Sequence, residues 1–363
     1  MNKITQHAMT TSDRDSFLPP LSRRRFLQSG LATGTALSAG YFPQFAAVAD
    51  DTKKTARAPY EGPNVIIVRF GGGVRRRETI DPEHTFSPYL CRELAKRGTL
   101  FNNMWMDGLE DVETSHGQGT LYILTGKYER YEDIEKEFLN ERFESQVPTV
   151  FEYLRKKFEV PNHQTLIVNG EDRTQEEFYS FSNHHLFGAE FKSEVLSLFR
   201  FKLHLLRKNL AEGRFEGKEL KEKTKELKKM ETLDYRTAGN REPNPEIAAF
   251  WNRWRTHWGD SGFINPRGDR LLTELTIWSL RHLKPKLMMV NYNDPDYVHW
   301  GNMSHYTRAI SIIDQGLRQL MDAVEADEEY RDNTVFVVVP DCGRDSNPFI
   351  SVPCQHHFNS LWV

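Results

Sequence analysis

Three cysteines in 363 residues are too few for a disulfide framework. Cys91, Cys342 and Cys354 read as buried thiols, with a Cys342–Cys354 bridge as the alternative after export. Uninterrupted apolar sequence is scarce as well. Gly30, Gly34, Gly40 and Pro43 break the N-terminal stretch, so it falls short of the roughly 20 apolar residues that a membrane-spanning helix needs. That excludes a stable transmembrane anchor there. A basic surplus is also missing. Lys plus Arg number 48 against 51 Asp plus Glu, a formal charge of −3, which argues against a general nucleic-acid binder.

What is present begins with Ser22-Arg23-Arg24-Arg25-Phe26-Leu27-Gln28. A weakly apolar run of small residues follows, then Ala47-Val48-Ala49 before Asp50. The pattern predicts a twin-arginine export signal over 1–49, and hence a periplasmic or extracellular protein. Without that leader the formal charge becomes −6. The remaining length, about 314 residues, suits one large α/β domain with an insertion, or two domains.

Residues 50–63 form a polar linker. Asn64 to Phe70 is then a short β-branched run, typical of a buried parallel strand. It stops at Gly71-Gly72-Gly73, followed by Arg75, Arg76 and Arg77. Glycines at a strand's carboxyl end suggest an anion site at Gly72, Gly73 and Arg75; a plain loop with solvated arginines reads the same way. Ser87-Pro88 predicts a helix closing at Gly98, and Thr99 to Met106 a second strand. Val147 to Phe158 reads as helix and Gln164 to Asn169 as strand.

This alternation predicts an α/β fold, a mostly parallel sheet with helices on both faces, built from 64–170 and 268–363. Between them, 171–267 loses the rhythm and reads as a helical cap insertion. Within it Lys218 to Lys229 is a solvated helix face. Trp251, Trp254 and Trp258 form a stripe that suits core packing, or the lining of a cleft. Asp269 to Leu283 is helical, Lys286 to Tyr292 strand-like, the stretch from Tyr306 to Val324 amphipathic and Thr334 to Pro340 the most hydrophobic strand. The final Leu361-Trp362-Val363 reads as the start of a further strand, which predicts a sheet continuing past this point.

Groups able to carry chemistry follow the strands. They are the glycine loop, Asp111 to Gly126 with Thr114, Ser115 and His116 at a helix start, Asp294/Asp296/His299, Asp341-Cys342, and His356/His357. Sites in open parallel sheets form beyond the strands' carboxyl ends, so these loops can converge. A helix start offers unpaired N–H groups and the positive end of its dipole to an anion, although Ser and Thr also cap ordinary helices. Carboxylates and imidazoles from separate strands are a ligand set for zinc or manganese acting on an anionic ester.

In this order the loops resemble the alkaline phosphatase superfamily, and within it a sulfatase-like branch of exported proteins. The resemblance runs from Asn64 to about His357, leaving out the cap. It implies a metal-dependent hydrolase or transferase of phosphate or sulfate esters, with a small anionic ester or a glycan as substrate. Asp341-Cys342-Gly343 matches the family's Asp-His-Gly, with Cys342 where His is expected; a thiolate pointing inward can still bind zinc. Asp296 and His299 resemble the Asp-x-x-x-His pair with one residue fewer, Asp294 can substitute, and His356 or His357 would be the late His.

The family's first-strand Asp is replaced by the glycines. Counting back from Gly126 places His116 at the nucleophile position, and a longer turn would give it to Ser115 or Thr114; all three stay open. The missing ligands imply one divalent ion rather than two. The competing reading is an inactive descendant that binds an anion, a glycan or a protein partner.

Overall fold

The computed structural model describes residues 57–102, 116–127, 132–133, 143–144, 147–169, 186–233, 244–259, 268–300 and 302–344. The strands of its main sheet are β1 (Asn64–Phe70), β2 (Thr165–Asn169), β3 (Glu194–Leu196), β4 (Leu287–Tyr292) and β5 (Thr334–Pro340). All neighbouring pairs run parallel, in the order β3-β2-β4-β1-β5. The helices of eight or more residues are α1 (His116–Thr125), α2 (Val150–Lys157), α3 (Leu198–Ala211), α4 (Gly217–Leu233), α5 (Pro245–Trp258), α6 (Asp269–Leu283) and α7 (Met303–Glu325).

A parallel sheet covered on both faces should carry apolar residues at successive positions, because neither side meets water. β1 and β4 do so, and alternate residues enter two separate cores. Ile66, Val68, Met288 and Val290 pack with Leu272, Leu275, Ile313 and Leu317 of α6 and α7. Ile67 and Met289 pack on the other face with Leu121 and Leu124 of α1 and Phe151 of α2. The α/β architecture with helices on both faces is as the sequence predicts.

The helix starts carry their own caps. Thr149 and Glu152 form a capping box on α2, and the side chain of Asn302 accepts the N–H of His305 at the start of α7. The stretch from Ser87 differs from its expectation. It winds as a wide turn over Tyr89–Glu93 and a tight one over Leu94–Lys96. The Ser87 hydroxyl donates to the carbonyl of Thr79, and the N–H groups of Tyr89 and Leu90 are capped by the Asp314 carboxylate of α7. A cap from so distant a residue has no local signal.

Inside 171–267 the expected loss of rhythm is partial. β3 joins the edge of the main sheet, and Phe201, Phe250, Trp251 and Trp254 belong to the same core as β1 and β4. The tryptophan stripe is thus mainly core: Trp251 and Trp254 are buried. α4 is largely exposed and meets α3 through a small cluster around Met230. Of the strand predicted over Thr99 to Met106, residues 103–106 lie outside the described residues. No helix among the described residues is long and apolar enough to cross a membrane.

Candidate functional site

The register sets the site. Phe70 lies opposite both Tyr292 and Pro340, so β4, β1 and β5 end level and release three loops side by side. These are Gly71–Gly73, Asn293–Asp296 and Asp341–Arg344. Gly72 and Gly73 adopt positive φ, +85° and +65°, which L side chains rarely adopt. At Gly72 a Cβ would also stand 2.3 Å from the backbone nitrogen of Asp296, so only glycine lets the first and second loops touch.

The first turn of α1 closes on the third loop through Gly119. The carbonyl oxygen of Asp341 sits 1.6 Å from where a Cβ at that position would be. Gly119→Ala is therefore expected to push α1 away from Asp341 and destabilise the chain by about 1–3 kcal/mol, the usual cost of overpacking. A thermal melt checks it, and an unchanged melting temperature would mean that the helix has room to spare.

Asp341 is the hub. One carboxylate oxygen accepts the N–H groups of Gly73 (3.1 Å) and Cys342 (2.8 Å). The other accepts Gly72 N–H (3.2 Å), Arg69 Nη2 (3.2 Å) and His116 Nδ1 (2.9 Å). Both members of the Arg69–Asp341 pair have fully buried side chains. Burial alone would raise the Asp341 pKa, but the charges of His116 and Arg69 and the hydrogen bonds outweigh it and hold the carboxyl down at about 2. The anion held by the glycine loop is thus the chain's own carboxylate.

His116 opens α1 with both ring nitrogens facing carboxylates. Nδ1 meets Asp341, and Nε2 lies 3.1 Å from Asp296 Oδ1. Burial would lower its pKa; the Asp341 and Asp296 carboxylates overcome that and push it up to about 10. The imidazole is a doubly protonated cation whose side chain is 21% exposed, next to an Asp296 side chain at 26%, so the centre opens towards solvent on this side. Cys342 is fully buried and points inward, with Sγ 3.4 Å from His116 Nδ1. Arg344 donates to the carbonyls of Gly72 and Gly73, and its Nη2 lies 3.8 Å from Asp296 Oδ1.

Of the residues singled out in the sequence, Gly72, Gly73, His116, Asp296, Asp341 and Cys342 come together. Asp294 turns to the start of α6, where its Oδ2 accepts the N–H of Asp269 (3.0 Å). Arg75 is paired with Glu78 (2.5 Å). His299 lies in the 3₁₀ turn Asp294–Trp300, with its side chain outside the described structure. Thr114, Ser115, His356 and His357 lie outside the described residues, as does Cys354. Sequence reading missed Arg69, Arg344 and Asp269. An arginine inside an otherwise apolar strand was a usable signal for the first.

His116, Asp341 and Cys342 each offer a ligand atom, all within 4.8 Å of one another. Imidazole, carboxylate and thiolate together are a donor set for one zinc-like ion, with a coordination position left over. An ion held by them would require His116 Nδ1 and the Cys342 thiol to give up their protons; on that condition the three donors fit a single ion.

No family model and no curated protein matches the chain. Among solved structures it is similar to a protein of the alkaline phosphatase superfamily from Vibrio parahaemolyticus, at 13% identity over 85% of this chain and a TM-score of 0.42. It spans 61% of that protein's length. It is also similar to the alkaline phosphatase of the Antarctic bacterium TAB5, with 15% identity over 78% of this chain and 80% of that one, and a TM-score of 0.42. A 2-O GAG sulfatase is similar at 11% identity over 83% of this chain and 62% of its own, with a TM-score of 0.40.

Proposed function

We propose that the chain is an exported hydrolase or transferase of phosphate or sulfate esters, working at the centre built on His116, Asp341, Cys342 and Asp296. The observation that carries this reading is an imidazole fixed at a helix start between carboxylates from the ends of two different strands. Such an arrangement presents positive charge and a proton where an ester oxygen becomes negative. Both ring nitrogens are turned to carboxylate oxygens, which leaves His116 no lone pair for attack: without an ion it is an electrostatic anchor, and with an ion on Nδ1 it is a ligand. The attacking role then falls to the hydroxyl of Ser115 or Thr114, directly before the helix.

A zinc or manganese ion held by His116, Asp341 and Cys342 would supply Lewis-acid polarisation of the ester; the thiolate favours zinc. The backbone N–H groups at the start of α1 steady the anion, and Arg344 keeps the glycine loop and Asp296 in place. Export rests on the twin-arginine leader. The substrate is a small anionic ester or a sulfated or phosphorylated glycan.

A second reading, an inactive anion- or glycan-binding descendant, is favoured by one observation: five donors already converge on Asp341, more than the roughly four lone-pair sites of a carboxylate. Metal analysis of the purified chain, followed by assays with generic phosphate mono-, di- and sulfate esters, separates the two. The enzyme reading expects about one zinc per chain, lost in Cys342→Ser, and a rate that falls about 10²–10⁴-fold in His116→Ala. No retained metal, together with no hydrolysis in added zinc or manganese, overturns it in favour of the second.

A further inference from the structure

Asp269, the first residue of α6, is 1% exposed and takes no part in the mechanism above. Its carboxylate does not cap its own helix. Oδ1 accepts the N–H of Asn293 (3.1 Å), and Oδ2 accepts those of Asn293 (3.2 Å) and Asp294 (2.9 Å). In return Asp294 Oδ2 accepts the N–H of Asp269. Each carboxylate thus caps the backbone start of the other's segment, one a helix and the other the turn that carries Asp296.

This reciprocal pair continues to the centre in two directions. The carbonyl of Asn293 accepts Asp296 N–H (3.1 Å), and Asp296 faces His116. The side-chain oxygen of Asn293 accepts Arg69 Nη2 (3.3 Å), the same atom that holds Asp341. Asp269 therefore anchors the loop that carries Asp296 and that touches, through Asn293, the guanidinium holding Asp341. Exposed helix-capping aspartates are commonplace; a buried one spending its oxygens on another segment's N–H groups is a device for holding that segment still.

We infer that Asp269 is a positioning residue of the His116 centre, fixing Asp296 against Nε2 from the helix that leads out of the 171–267 segment. This rests on the reading of His116 as the working group, but its test needs neither substrate nor metal. Nitrogen-15 histidine NMR of the full chain in chelator, with His116 assigned by its loss in His116→Gln, reads the imidazole directly.

Asp296→Ala removes the Nε2 partner and moves the Nε2–H signal. Asp269→Ala is expected to move it in the same direction by at least half as much, and the double variant no further than Asp296→Ala alone. Asp269→Asn, which keeps one acceptor oxygen, should recover part of the shift. Thr276→Val removes a buried hydroxyl of the same helix that bonds the carbonyl of Leu272 (2.8 Å) and touches neither Asp269 nor the loop, so it should melt earlier with the His116 signal in place.

If Asp269→Ala does not fold, Asp269→Asn and Asp294→Ala carry the same comparison. A His116 signal unmoved in the folded Asp269 variants, or moved equally by Thr276→Val, overturns the inference. Absence of ester hydrolysis would overturn only the proposed function.

Discussion

Asp341→Ala is expected to melt about 10 °C below the parent chain, the largest loss of stability from any single substitution in the centre. The carboxylate compensates a fully buried Arg69 and one side of His116, and it closes three backbone N–H groups of two loops. Removing one member of a buried ion pair leaves the other charged and without water, which costs about 3–5 kcal/mol. For a chain of this size each kcal/mol corresponds to roughly 2–4 °C. A paired variant, Arg69→Met with Asp341→Asn, should recover much of that loss, since removing both charges removes the uncompensated one. Thermal melts of the three chains check this. A melting temperature of Asp341→Ala within 2–3 °C of the parent, about one kcal/mol, would mean that the pair contributes little.

The second large effect is on pH. In the unfolded chain an imidazole titrates near 6.5, whereas His116 in the folded site is pushed up to about 10. Below 6.5 both states hold the proton, and the stabilisation is complete. Between 6.5 and 10 the unfolded chain releases its proton while the folded one keeps it, so stability falls with rising pH, by up to about 1.4 kcal/mol per unit. Over the whole window the loss is on the order of 3–5 kcal/mol.

Asp341 acts at the other end. Its carboxyl sits at about 2 instead of 3.8, so its contribution is present above 3.8 and is lost as pH falls through about 2. Melts in chelator from pH 6 to 10 should show the parent losing roughly 10 °C or more and His116→Gln staying nearly flat while starting lower. Parallel curves for the two chains would exclude His116 as the group responsible.

Much of the fold is legible in the sequence because buried parallel strands leave a continuous apolar trace. β1 and β5 match their expected ranges, and β2 and β4 differ by one residue at the start. His116, Asp296, Asp341 and Cys342 were readable because each follows a strand or opens a helix. What stayed hidden depends on partners far away in sequence. Arg75 stood out because it adjoins the glycines and Arg69 went unnoticed, yet Arg75 answers to Glu78 three residues on and Arg69 to Asp341 across the sheet. Asp269 looked like any acidic first residue of a helix, and only the register of β4 beside it reveals whose N–H groups it holds.

The placement of β5 has a consequence for how the chain folds. Gly72 and Asp341 are 269 residues apart, yet they bond directly. At ribosomal rates the second emerges roughly 15–50 s after the first. During that interval Arg69 has been made and its counter-charge has not. An early intermediate that buried β1 between its helices would enclose a lone guanidinium, so β1 is held back from final packing until β5 docks. Such long-range closure makes for slow folding. It also makes docking of β5 a checkpoint, in which one ion pair reports that β1 and β5 have met.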